Sequence, residues 1–343
     1  MNNNINNTLF ENCKDYYHHY DCNATEIKEF YESSMSEKSN KAIYLIKNIL
    51  TINRKQETYK YLEQLNNIEN AIIPLKFQRD HVIHTLNCFL LGIYINEYFF
   101  SQNTISKVNI FQWKLASLFH DIGYQLQIAD RLISNFKKNI AEVNIKLDIN
   151  FNLDKIFSIL IDNNLITLNN NINSLDLIQT TLNNWGLKIK VKKEFNKMKQ
   201  NGYICHGIIS SLLLLKTLDE LYHKYNHERL NNQTDWNQRF FDEDIVSACS
   251  AIFTHNLKEE SFKNSKINPN KMNLLFLLKL SDILQEWERP KNNLDNGNPP
   301  DLFEIDIKQD KIYFRTKVEG LIDILKNQIS PYFDENYIEI VPI

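Results

Sequence analysis

Residues 110–124 read IFQWKLASLFHDIGY, an apolar run that ends in an adjacent histidine and aspartate. The run has the length and composition of a buried helix, and a glycine at Gly123 is typical of the residue that ends one. Neighbouring side chains on a helix diverge, so His120 and Asp121 can bind one centre only near a helix end. The stretch therefore predicts an inner helix over 110–119, followed by a turn that carries two polar ligands.

Helical periodicity extends on both sides of this turn. The predicted helices cover about 25–72, before Pro74, and then about 79–100, 128–140, 153–162, 204–225, 242–253 and 273–288. With only 7 Gly and 7 Pro, the chain favours long helices and few tight turns. Residues 1 to about 20 are polar and Asn-rich, and we expect them to be frayed or loosely attached.

After Pro290 and a linker, NNLDNGNPP, the period of the apolar residues changes. Alternation predicts strands at 303–307 and 311–315 around a KQD turn, then an amphipathic helix at 320–328 and a strand at 337–341. The sequence thus predicts an all-α body with a small β-β-α-β appendage. We divide it into a helical leader (1–74), a central helical domain (75–290) with an insertion at about 125–202, and the α+β appendage (300–343).

Composition excludes several classes of protein. Lys and Arg number 39 and Asp and Glu 42, a formal charge of −3, so we expect no binding of duplex nucleic acid. No apolar run reaches the roughly 20 residues that cross a bilayer, and MNNNINNTLF lacks the pattern of a signal peptide. The five cysteines include no C-x-x-C pair. These features predict a cytoplasmic protein without membrane contact or a disulfide scaffold.

Histidines and acids recur near the ends or on the inner faces of the predicted helices. In chain order they are His84, His120, Asp121, His206, His255 and Asp282. Imidazoles and carboxylates suit Mn, Fe, Zn or Co, and no thiolate belongs to this series. The set exceeds the needs of one metal and matches a two-metal site in which a carboxylate bridges ions roughly 3.5–4 Å apart.

As a set, these residues resemble the HD-domain superfamily of metal-dependent phosphohydrolases, in the variant whose extra histidines hold two metals. The segments that carry the resemblance lie within about 75–290 and read RDHVIHTLNCFLLG, FHDIGY, CHGIISSLLLL, IFTHN and LLKLSDILQEWERP. The resemblance implies an all-α HD-domain bundle that binds two divalent transition metals. It assigns the first metal to His84, His120, Asp121 and Asp282, and the second to His206 and His255, with Asp121 as the bridge.

Two histidines compete for the first ligand position, because His81 and His84 are three residues apart on one helix face. The residues after His84, Thr-Leu-Asn-Cys, resemble those that follow the first ligand of the family. We therefore favour His84 as the ligand, and we expect His81 either to support the metal site or to face the substrate phosphate.

Basic residues near the last ligand suggest a phosphate site. Tyr124 stands where the family often has a lysine, and Lys279, one turn before Asp282, could replace it. Lys279, Asp282, Glu286 and Arg289 have the spacing i, i+3, i+7, i+10 of one helical stripe. A salt-bridged exposed face is the alternative to this interpretation. We expect Lys279 or Arg289 to lie near the substrate.

The resemblance implies hydrolysis of a phosphoester or phosphoanhydride in a small substrate, a nucleotide, by attack of a metal-activated hydroxide. The predicted catalytic residues are Asp121, Lys279, His81 and Arg289. The insertion is placed to cover the site and to select the substrate. Two alternatives stay open: a di-iron oxygenase with the same ligands, and a regulatory module that senses a nucleotide. The appendage could bind a protein partner or a second copy of the chain.

Overall fold

The structure is a computed structural model that describes residues 4–50, 81–142, 165, 172–201, 203–228, 241–262, 265–289, 297–308 and 310–343. Within these ranges the chain is mostly helical and ends in a small three-stranded sheet, which confirms the predicted architecture at that level. The chain forms two compact units, Met1–Leu118 with Lys258–Ile343, and Phe119–Leu257. None of the helices in the described ranges combines the length and hydrophobicity that crossing a membrane requires.

The regular elements are named in chain order. The helices are α1 (Ile5–Cys13), α2 (Ala24–Glu32), α3 (Met35–Leu50), α4 (His81–Tyr94), α5 (Ile110–Phe119), α6 (Tyr124–Glu142), α7 (Ser174–Asn184), α8 (Val191–Gln200), α9 (His206–Glu228), α10 (Val246–His255), α11 (Asn273–Leu284) and α12 (Leu321–Ile329). The strands are β1 (Phe303–Lys308), β2 (Lys311–Thr316) and β3 (Ile338–Pro342).

The N-terminal residues are firmly packed, so the prediction of a frayed leader is wrong. Ile5, Leu9 and Cys13 follow one another at a spacing of four residues on α1, and all three are fully buried. Tyr17 and Tyr20, in the 3-10 turn that follows, are also fully buried. An apolar stripe of this width is enough to attach a helix even when the residues between are polar.

The predicted helix over 25–72 is interrupted within its described part. α2 ends at Glu32 and α3 begins at Met35. The hydroxyl of Ser34 donates a hydrogen bond to the Glu37 carboxylate at 3.1 Å, in the Ser-x-x-Glu pattern that starts helices. The rest of that predicted helix, 51–72, and the predicted helix over 153–162 lie outside the described residues.

α4 is the central helix of the first unit. Every described residue from Val82 to Tyr94 is buried, as the density of Leu, Ile and aromatic residues predicts. The helix continues through a π-helical turn, Ile95–Phe99, into Phe100–Gln102. α4 packs against α1, α3 and α11, so its faces meet apolar surface in several directions.

The C-terminal residues form the predicted β-β-α-β order. β1 pairs antiparallel with β2, with Ile305 opposite Phe314, and β2 pairs in parallel with β3, with Ile312 opposite Ile338. α12 connects β2 to β3 and packs against β3 and α11. β1 also packs against α1, so the sheet belongs to the same compact unit as the N-terminal helices.

α11 ends at Leu284, earlier than the predicted end at 288. The backbone leaves the helical region at Gln285, where ψ is 87°, and Glu288 has a positive φ of 52°. The N–H of Glu288 donates to the carbonyl of Asn298 at 2.7 Å instead of to its own helix. The predicted helical stripe to Arg289 is therefore wrong.

In the second unit, Gly123 allows two helices to approach closely. It does not have the positive φ of a C-cap glycine, which corrects the prediction of a cap. A Cβ at this position would lie 2.6 Å from the His206 carbonyl oxygen and 2.7 Å from the Ser210 nitrogen, both on α9. Its N–H donates to the Ser210 hydroxyl at 2.8 Å. Gly123, two residues after Asp121, is thus a contact point between the turn and α9.

Candidate metal centre

The His120–Asp121 pair lies in the turn between α5 and α6, as the sequence predicts. α5 ends at Phe119 and α6 begins at Tyr124, so neither residue of the pair belongs to a helix. Nε2 of His120 is 3.6 Å from Oδ2 of Asp121, and both side chains are buried. Because the pair lies in a turn, its two side chains need not diverge as they would at consecutive positions of a helix.

Two further histidines reach the same carboxylate from helix ends. His206 is the first residue of α9 and His255 the last of α10. Their Nε2 atoms lie 3.2 Å and 3.8 Å from Oδ1 of Asp121. Since His120 faces Oδ2, the two oxygens of Asp121 face different histidines. The second unit thus brings together four of the six predicted ligands.

Contacts on the other ring nitrogens orient the histidines. Nδ1 of His255 lies 2.6 Å from the carbonyl oxygen of Ile252, which can only accept, so Nδ1 carries the hydrogen. A neutral His255 ring then has its lone pair on Nε2, on the side of Asp121. Nδ1 of His206 is 2.9 Å from Oε1 of Gln127. Such outer contacts are typical of metal-binding histidines.

The donor set of the second unit fits a divalent cation. His120, Asp121 and His255 can place one ligand atom each within 4.8 Å of one another. Carboxylate oxygens and imidazole lone pairs that face one another repel, and a cation between them reverses that repulsion. Burial raises the pKa of the neighbouring Cys205 thiol. The candidate ligands that lie within 4.8 Å of one another here are two imidazoles and a carboxylate.

A second group of candidate ligands lies in the first unit. Nε2 of His84, on α4, is 3.1 Å from Oδ1 of Asp282, on α11. Nδ1 of His84 contacts Oε1 of Gln285, a residue that sequence reasoning missed. The group also includes Cys88, whose Sγ lies 3.6 Å from Nε2 of His84. The structure thus places a thiol beside His84, next to candidate ligands among which the sequence predicted no thiolate.

Among the predicted catalytic residues, Arg289 lies near a candidate ligand. Its NH2 is 3.9 Å from Oδ1 of Asp282, and its NH1 is 3.6 Å from Oε1 of Glu286. It reaches this position from the segment after α11, and not along a helix face.

The other two predicted basic residues have different positions. Lys279 is buried, with its ammonium 3.5 Å from the centroid of the Tyr332 ring and 5.6 Å from that of Phe262. This cation–π contact stabilises the charge inside the first unit. His81 begins α4, and its side chain lies outside the described residues.

The described part of the predicted insertion belongs to the same unit as His206 and His255. α6 packs against α9, and α7 packs against α10, the helices that begin with His206 and end with His255. The chain matches no protein-family model, no curated protein and no solved structure. The HD-domain resemblance stays a prediction from the motifs.

Proposed function

We propose that the protein is a metal-dependent phosphohydrolase that cleaves a phosphoester or phosphoanhydride bond in a small substrate, a nucleotide. One observation carries the proposal: Nε2 atoms of His120, His206 and His255 lie within 3.2 to 3.8 Å of the two oxygens of Asp121. A buried carboxylate beside the buried imidazoles of His120 and His255 and the partly exposed one of His206 is costly to maintain unless a cation compensates it. Two-metal hydrolases meet this condition by sharing a carboxylate between ions.

The ligand assignment follows the orientation of the Asp121 carboxylate. In the second unit, Asp121 with His120, His206 and His255 would hold divalent ions. His84 and Asp282 stay ligands that the HD-domain resemblance implies. Mn, Fe, Zn and Co all accept these donors.

Divalent ions held by these residues would supply a water of lowered pKa as the nucleophile for attack on phosphorus. The protein contributes position and charge. The contacts of His206 with Gln127 and of His255 with Ile252 hold the rings in place. The guanidinium of Arg289, beside Asp282, has the planar fork that binds phosphate oxygens in pairs.

Elemental analysis, combined with assays on an aryl phosphodiester and a nucleotide panel, tests this function. We expect about two transition metal ions per chain, and hydrolysis that a chelator abolishes and Mn or Fe restores. Asp121→Ala should lose both metal and activity. Protein that is metal-free and stays inert after addition of Mn or Fe would contradict the proposal.

The same preparation separates the two alternatives. Oxygen consumption by iron-loaded protein, without phosphate release, would favour the di-iron oxygenase. A nucleotide that raises the melting temperature without being hydrolysed would favour the sensing module.

A further inference from the structure

We propose that Gln285 positions His84 for metal binding: its side-chain amide keeps a hydrogen on Nδ1 of the ring and leaves Nε2, which faces Asp282, to a divalent ion. The metal-binding part of this inference rests on the proposed function, whereas the position of the hydrogen can be measured in the metal-free protein. Gln285 does not belong to the ligands that the HD-domain resemblance implies.

The amide of Gln285 is held in one orientation. The side chain is fully buried, at the residue that directly follows the last residue of α11. Nε2 of Gln285 lies 2.5 Å from the backbone carbonyl oxygen of Trp287, and a carbonyl oxygen can only accept a hydrogen bond. The NH2 group therefore points toward Trp287, and the amide oxygen points toward His84.

The amide oxygen in turn determines which nitrogen of His84 carries a hydrogen. Oε1 of Gln285 contacts Nδ1 of His84, and an amide oxygen is an acceptor only, so Nδ1 must be the donor. The neutral ring with its hydrogen on Nδ1 meets this condition, and so does the doubly protonated ring. The neutral ring with its hydrogen on Nε2 does not, because a lone pair on Nδ1 would then face the amide oxygen.

Asp282 acts in the opposite direction and would draw the hydrogen of a neutral ring to Nε2. Nε2 of His84 is 3.1 Å from Oδ1 of Asp282, a distance at which an Nε2–H would donate to the carboxylate. In that state a hydrogen would stand where a metal must bind, since a metal needs the lone pair of the imidazole. The contact with Gln285 therefore excludes the tautomer that is least suited to metal binding.

Histidine NMR on the full-length, metal-free protein tests the inference without an activity assay. Proton–nitrogen correlation spectra of protein with isotope-labelled histidine distinguish a ring nitrogen that carries a hydrogen from one that has a lone pair. A His84→Gln sample identifies the signals of this ring. The wild type should carry a hydrogen on Nδ1 of His84. In Gln285→Leu, which removes the acceptor, Asp282 should draw the hydrogen to Nε2.

Zinc titration of the same samples measures the consequence for metal binding. In Gln285→Leu the zinc affinity should fall about 10- to 100-fold, the usual effect of removing a partner that orients a metal-binding histidine. Gln285→Glu should keep the hydrogen on Nδ1, because a carboxylate oxygen still accepts it.

Asn87→Leu is the matched control. It also removes a buried amide beside this turn, since Nδ2 of Asn87 donates to Oε2 of Glu288 at 3.4 Å. A variant of this kind can lower stability, but it should keep both the Nδ1 hydrogen of His84 and the zinc affinity of the wild type.

The outcomes distinguish this inference from the proposed function. A wild type whose His84 carries its hydrogen on Nε2 alone overturns the role of Gln285, even if Gln285→Leu does not fold. A hydrogen that stays on Nδ1 in Gln285→Leu, or an unchanged zinc affinity, has the same meaning and leaves the metal centre intact. A hydrogen that Gln285 places on Nδ1, in protein that binds no divalent ion, would contradict the proposed function instead.

Discussion

The guanidinium of Arg289 reaches the carboxylate of Asp282 from outside the helix that carries the carboxylate. The two groups are 3.9 Å apart, although α11 ends at Leu284. The connecting turn is held by the Glu288 N–H, which donates to Asn298, and by an ion pair between the Glu288 carboxylate and Lys38. The position of Arg289 therefore depends on tertiary contacts of this turn.

Replacement of Arg289 tests its proposed contact with phosphate. In Arg289→Gln we expect KM for an aryl phosphodiester to rise about 10- to 100-fold, since a charge-assisted hydrogen bond contributes roughly 1.5–3 kcal/mol. Metal content, measured by elemental analysis, should not change. Arg315→Gln, on β2, is the control. An unchanged KM in Arg289→Gln would remove this residue from the substrate site.

The buried pair Lys38–Glu288 should be far more sensitive than an exposed pair. Both side chains are almost fully buried, so Glu288→Gln leaves an uncompensated charge, and we expect a loss of about 3–5 kcal/mol in the free energy of unfolding. Lys38→Met combined with Glu288→Gln should lose less than the sum of the single variants. Urea denaturation provides the measurement.

The exposed pair Lys14–Glu11 is the matched control for that experiment. Its partners are 2.7 Å apart but largely exposed, so solvent screens the pair, and we expect Glu11→Gln to leave the free energy of unfolding almost unchanged. Equal effects of Glu288→Gln and Glu11→Gln would show that the buried pair adds no special stability.

Gly123→Ala should damage both packing and metal binding. The added Cβ would lie 2.6 Å from the His206 carbonyl, so α9 must move, at a cost of about 1–3 kcal/mol. His206 moves with α9, and zinc affinity should fall. Gly186→Asn is the control, because nothing lies within 4 Å of that position and asparagine tolerates its φ of 79°. Wild-type stability and affinity in Gly123→Ala would contradict the close contact.

Asp121→Asn removes the negative charge of this side chain and keeps its shape, so it tests whether the charge is needed for metal binding. Asparagine is nearly isosteric, so the fold should persist, as circular dichroism can verify. Loss of the shared negative charge should lower the metal content by about one ion per chain or more. Asp15→Asn, at an exposed position, should retain the wild-type content. Full metal content in Asp121→Asn would exclude Asp121 as the bridging ligand.

Alkaline pH should destabilise the protein through its buried thiols. Burial raises the pKa of the Cys22 thiol to about 12, with Lys114 opposing the rise, whereas a thiol in the unfolded chain titrates near 8.5. Below that value both states hold the proton, and the stabilisation is fully present. Above it the unfolded chain binds fewer protons, so the free energy of unfolding falls by up to about 1.4 kcal/mol per pH unit.

Cys22→Ser tests this assignment, because serine does not titrate in the same range. Its free energy of unfolding should decline less steeply than that of the wild type between about pH 9 and pH 11. The other buried cysteines remain in the variant and account for the residual slope. Identical slopes for the two proteins would show that Cys22 does not contribute.

Sequence patterns predicted the helices and strands that depend only on residues close together in the chain. The apolar run over 110–119 and the alternation of β1 and β2 set the bounds of α5 and of the two strands almost to the residue. The stripe of Ile5, Leu9 and Cys13 was equally local, but the polar residues between them concealed it. The early end of α11 depends on Asn298, a partner that no local pattern reveals.

The sequence predicted the types of residue in the candidate site, but it did not predict all the residues that surround them. The order of His84, His120 and Asp121 along the chain indicated a metal site. Gln285 was missed because its contact with His84 depends on how α4 packs against α11. Cys88 was missed although it lies one turn from His84 on the same helix. Lys279 was placed by helical spacing alone, and its contact with the ring of Tyr332 follows from the position of the C-terminal residues.

Two glycines allow close packing around the candidate metal centre of the second unit. A Cβ at Gly123 would meet the backbone of His206, and a Cβ at Gly207 would lie 2.9 Å from the ring of His255. Because Gly123 and Gly207 have no side chain, the backbone of His206 and the ring of His255 can lie this close to them. Neither glycine is itself a candidate ligand. An attempt to enlarge the centre for a bigger ion should begin at these two glycines, with the histidines left unchanged.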